Sequence, residues 1–61
     1  MEPEELFRHL SIEYWGIREA NPDWDKSLAQ FLIDRGMSQD DIWSADPETA
    51  YNENWPEPDW L

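Results

Sequence analysis

A 61-residue chain with no cysteine has to hold itself together with whatever apolar core it can bury. A domain of this size buries only about 60% of the surface its unfolded chain exposes. Neither a disulfide nor a thiolate zinc site is available to reinforce it. The material for a core is aromatic: five Trp, two Tyr and two Phe stand among the 61 residues, and rings of this kind each bury about 150–250 Å². Their spacing is helical. No strand alternation and no internal repeat can be named. The expected fold is therefore all-α, a small bundle of three or four short helices ending in an extended acidic, aromatic C-terminal tail.

Pro3 suits the first position of a helix, and Glu4 and Glu5 oppose the helix dipole there. Phe7, Leu10, Tyr14 and Ile17 then form a stripe, with Leu6 beside it. This predicts a helix over 4–19, with a candidate break near residue 11, where Ser11 could restart the helix. Gly16 weakens it by about 1 kcal/mol relative to Ala. Asn21-Pro22-Asp23 reads as a cap followed by Pro at the first helical position, and Trp24, Leu28, Phe31 and Leu32 follow as a stripe. Arg35 suits the negative end of that helix and Gly36 its left-handed close. The second helix is thus expected over 22–35. Ser38 and Asp41 have the spacing of a capping box, with Met37 and Ile42 as a hydrophobic staple, which predicts a third helix over 39–45. Asp46-Pro47-Glu48 repeats the cap-plus-Pro signal for one or two turns over 47–53. Two X-Pro steps in Trp55-Pro56-Glu57-Pro58 then turn the chain away from helix, so the helical domain spans 1–53 and the tail 54–61. The expected core is Leu6, Phe7, Leu10, Tyr14, Ile17, Trp24, Leu28, Phe31, Leu32, Met37 and Ile42. Ile12, Trp15 and Ile33 fall off these stripes, as exposed anchors or as a second core face.

Charge narrows the function. Fifteen acids against four bases give a formal net charge of −11. Residues 1–35 hold eight acids and all four bases, a net of −4, whereas residues 36–61 hold seven acids and no base, a net of −7. The front half can pair locally, as Glu4 with Arg8 or Asp23 with Lys26. The back half cannot, so its field points outward and favours a basic partner. Direct nucleic-acid binding fails on electrostatics, including a helix-turn-helix reading around Gly36, because no base follows Arg35. No apolar run approaches the roughly 20 residues of a membrane helix. The acidic start Met1-Glu2-Pro3-Glu4-Glu5 is the reverse of a signal or transit peptide, and with the absence of cysteine it suggests a cytoplasmic chain.

No catalytic constellation emerges. His9 is the only histidine and has no specific partner for a Ser-His-acid arrangement. Asp40 and Asp41 sit where acids stabilise a helix start, which explains them without acid–base chemistry. Asp23, Asp25, Ser27 and Asp34 imitate four positions of a calcium loop, but Leu28 replaces the glycine that loop needs. No cofactor and no metal is expected, and the chain is read as a non-enzyme.

The candidate partner-binding set is drawn from the base-free segment: Asp40, Asp41, Trp43, Asp46, Glu48, Glu53, Trp55, Glu57, Asp59 and Trp60. Carboxylates would steer a cationic partner, and tryptophans are the residue type most enriched where binding energy concentrates. Trp43 and Trp55 have an alternative use, folding back to cap a thin core. The leading expectation is a small inhibitor that occupies the basic nucleic-acid-binding surface of a target protein, presenting carboxylates where that target expects phosphates. Phage anti-defence proteins (anti-restriction, anti-CRISPR) and nuclease antitoxins or immunity proteins are analogies of physical type. The alternative is a non-catalytic adaptor or regulatory subunit, docking through exposed apolar residues and the C-terminal Trp/acidic tail.

Overall fold

Pro3 does open the first helix. In the computed structural model, which describes residues 2–61, α1 (Pro3–Ala20) runs as one uninterrupted rod with Pro at its start, Glu4 and Glu5 in its first turn and Arg18 in its last. The candidate break near residue 11 does not occur. Leu10 and Tyr14 are buried on one face, and Leu6, Phe7 and Ile17 pack against the same core. Side-chain burial of this kind contributes about 1.5–3 kcal/mol for each large apolar residue, which outweighs the cost of one helical glycine. Gly16 has open space where a Cβ would stand, so nothing in the packing demands it.

The second helix is shorter than its sequence suggests. It is α2 (Leu28–Asp34), and residues 22–27 form a connection instead. Asn21-Pro22-Asp23 makes a tight turn, with the Trp24 N–H donating to the Asn21 carbonyl at 2.9 Å. Asn at the first position of a β-turn and Pro at the second have the same sequence signature as a helix cap followed by Pro. The real cap is Ser27, whose hydroxyl accepts from the Gln30 N–H at 3.1 Å. Ser27-x-x-Gln30 matches the capping-box spacing, but the Gln30 side chain reaches Asp34 rather than back to Ser27.

Two further helices follow, α3 (Gln39–Ala45) and α4 (Pro47–Asn52), and no strand occurs among the described residues. The capping box of α3 is complete. The Asp41 N–H donates to the Ser38 hydroxyl at 3.1 Å, and the Ser38 N–H donates to the Asp41 carboxylate at 3.3 Å. Asp46 begins α4 and accepts the Thr49 hydroxyl proton at 2.6 Å.

Both α2 and α4 close in the same way. Gly36 has φ +103° and Asn54 has φ +59°. In each case the residue with positive φ donates three residues back into the helix, Gly36 to Ile33 and Asn54 to Tyr51, each at 3.0 Å. The next residue reaches deeper, Met37 to Leu32 at 3.0 Å and Trp55 to Ala50 at 3.3 Å. This is the Schellman closure, and it throws an apolar residue back toward the helix it ends. Met37 is buried and Trp55 is half-buried against the core.

α3 lies between α1 and α4, and α2 touches the other three helices. Leu32 and Ile42 are fully buried at the centre. Leu10, Tyr14, Phe31, Met37, Trp43 and Ala50 complete the cluster. Every residue of the expected core is buried or packed against it, and Ala29, Trp43 and Ala50 join it. Ile33 also packs against it, whereas Ile12 is 69% and Trp15 56% exposed. No described helix is long and apolar enough to cross a membrane.

Candidate partner-binding groove

Polar contacts divide the molecule in two. In the front half, the Tyr14 hydroxyl donates to the Lys26 carbonyl at 2.6 Å and accepts from Arg18 at 2.9 Å. That bond straps the 21–27 connection onto α1. Around it, the Tyr14 ring lies 5.1 Å from Trp15, 5.2 Å from Trp24 and 5.5 Å from Phe31. The expected Glu4–Arg8 and Asp23–Lys26 pairs do not form. Arg35 instead meets Glu13 of α1 at 2.6 Å, and Lys26 meets Asp34 at 2.5 Å. Because Lys26 stands on a loop and not on a helix turn, its reach is set by the connection and not by i,i+3 geometry. The Lys26 ammonium and the Gln30 amide, both bonded to Asp34, hold that carboxyl below its ordinary value.

The back half contains no base to pair with. Asp41 and Asp46 are half-buried and bound to the starts of α3 and α4. Asp40, Glu48, Glu53, Glu57 and Asp59 are exposed. The seven acids expected to meet a partner therefore separate into two that hold helix ends and five that face solvent.

The tail is non-helical, as its two X-Pro steps predict, and it lies beside α3. The reversal at Asn54 turns the chain back, Trp55 seats on the core, and the Leu61 N–H donates to the Pro58 carbonyl at 3.2 Å in a final turn. Between tail and helix is a groove of about 370 Å³. Gln39, Asp40 and Trp43 form its helical wall, and Pro56, Glu57, Pro58, Asp59 and Trp60 form the other.

The groove thus collects Asp40, Trp43, Glu57, Asp59 and Trp60 from the sequence-derived set. Asp41, Asp46, Glu48, Glu53 and Trp55 do not line it. Trp43 requires a correction: at 3% exposure it is a core residue and not a surface anchor. Its neighbour Ile42 is buried too, because α3 is flanked by α1 and α4 and so buries more than one narrow stripe. The indole N–H of Trp43 has no hydrogen-bond partner. Trp60 is the aromatic residue of this set that stands open, at 56% exposure. Gln39, Pro56 and Pro58 were not anticipated from sequence. The two prolines carried the signal, since rigid residues that end a helix can also build a wall.

Among the described residues, no three His, Asp or Glu side chains converge in a way that could hold a metal ion. Comparison with protein-family models, curated proteins and solved structures finds no match. The functional reading accordingly rests on the residues themselves.

Proposed function

We propose that this protein is an acidic inhibitor that occupies the basic nucleic-acid-binding surface of a target protein. One observation carries the reading: Asp40, Glu48, Glu53, Glu57 and Asp59 are exposed in a segment that contains no base. Duplex DNA presents one negative charge per ~1.7 Å of axis, and a target built to neutralise that density will also attract a compact polyanion. Association is steered by the long-range field and weakens as salt screens it. Trp60, open among these carboxylates, supplies apolar contact that slows dissociation.

The test is competition. Basic nucleic-acid-binding proteins are loaded with labelled duplex DNA or RNA, and displacement by this protein is followed across salt concentrations. The expected result is displacement whose affinity falls steeply with salt. Affinity that stays flat from low to high salt sinks the reading.

A second reading, an adaptor docking through apolar contacts, is favoured by Ile12 and Trp15, which stand exposed on α1 away from the base-free segment. Amide replacement of the five exposed acids separates the two. Loss of binding supports the charged face. Binding that survives those changes but fails in Ile12→Ser/Trp15→Ser supports the adaptor.

A further inference from the structure

We infer that the groove between α3 and the C-terminal tail seats an arginine side chain of the basic partner. The inference rests on the inhibitor reading and names the contact through which it works. Three features converge. The groove is about 370 Å³, near the small end of ligand-sized pockets and suited to one side chain rather than a folded element. Its rim carries the exposed carboxylates of Asp40, Glu57 and Asp59 from two different parts of the chain. The half-exposed ring of Trp60 and two prolines supply flat, rigid apolar surface.

A guanidinium group matches that combination better than an ammonium. It is planar, stacks on aromatic faces and directs paired N–H donors at carboxylates. An ammonium is a compact, strongly hydrated point charge and gains little from the flat walls. Trp43 closes the inner wall of the groove and is almost wholly buried, so it reports on occupancy through its ring environment while the carboxylates and Trp60 make the contact.

The experiment uses the intact protein and nine-residue all-arginine and all-lysine peptides of equal charge. Binding is followed through the five tryptophan indole N–H signals in nitrogen–proton correlation spectra, with titration at low and moderate salt. The expected result is saturable movement of the Trp43 and Trp60 signals with the arginine peptide, with Trp24 and Trp55 still. Exposed Trp15 serves as a control for non-specific contact. The arginine peptide should bind roughly tenfold more tightly than the lysine peptide, the scale of one cation–π or charge-assisted contact. Glu57→Gln/Asp59→Asn and Trp60→Ala should each abolish that preference. Asp23→Asn/Asp25→Asn changes net charge equally, outside the groove, and should preserve it.

Equal binding of the two peptides overturns the groove assignment while leaving the charged-face reading intact. So does movement of all five indoles together, or a preference that survives Trp60→Ala. Failure of both peptides to bind at low salt removes the groove assignment and the inhibitor reading together.

Discussion

The front and back halves of this chain solve the same problem with different means. In residues 2–35, three of the four bases are engaged internally: Arg35 meets Glu13, Lys26 meets Asp34, and Arg18 supports the Tyr14 hydroxyl that straps the loop onto α1. In residues 36–61 there is nothing cationic to consume. Order there comes from helix caps, from the closure at Asn54, and from apolar residues inserted into the shared core. The front half is tied by pairs, the back half by packing. That difference leaves the back half with five exposed carboxylates and no base among them, and a surface of that kind is available for another macromolecule.

The sharpest way to break the comparison is to remove the packing. Trp43→Ala should cost about 3–5 kcal/mol, as large-to-small core truncations do. For a domain this small that is comparable to its whole stability. Thermal melts followed by circular dichroism should show α1 lost together with the back half. Retained helicity equivalent to α1 and α2 would mean that the halves are independent and the comparison mistaken. Next in size is Gly36→Ala. Left-handed backbone costs an L-residue about 1–2 kcal/mol, and Gly36 sits at φ +103°. Denaturant unfolding should show that loss. Gly16→Ala, where the added methyl meets open space, should instead stabilise by up to about 1 kcal/mol. Opposite signs at the two glycines are the expected outcome. Removing one hydroxyl in Tyr14→Phe should cost about 1 kcal/mol, the worth of a typical hydrogen bond. Amide hydrogen exchange should localise the loosening to residues 21–27 and spare α3 and α4.

The smallest effect concerns pH. Asp34 is held below the ordinary carboxyl value by its bonds to Lys26 and Gln30. A depressed folded-state pKa means the contribution is present above the unfolded value and fades as pH falls through the folded one. The pair is exposed, so the contribution is slight. Asp34→Asn should therefore lower stability slightly at neutral pH and converge with the parent protein toward about pH 2, so that the acid limb of the stability–pH profile flattens when followed by unfolding. A loss as large in acid as at neutral pH would overturn the assignment.

How legible each part was depended on whether a signal had one physical meaning. Ser38 and Asp41 allow one reading, a reciprocal cap, and α3 begins where they imply. Asn21-Pro22 allows two, because a helix cap and a β-turn ask the same φ restriction of proline and the same local bonding of asparagine. Ser27-x-x-Gln30 lay five residues beyond it and marked the true start. The large apolar core was readable from helical spacing, whereas Ala29 and Ala50 were not, since small residues are buried by the geometry around them and not by their own hydrophobicity. Trp43 could not be placed from a wheel because its burial follows from α3 being flanked on two sides. The charged segment was evident in the sequence. The groove was not, since it exists only once the reversal at Asn54 lays the prolines beside α3.

Trp43 belongs at once to the interior and to the groove wall. Anything that settles there braces the fold, because a ligand held only by the native state raises the melting point by mass action. Resistance to heat thus becomes a meter for occupancy. A library of small cations or short peptides could be ranked by thermal shift alone, before any natural counterpart has been captured.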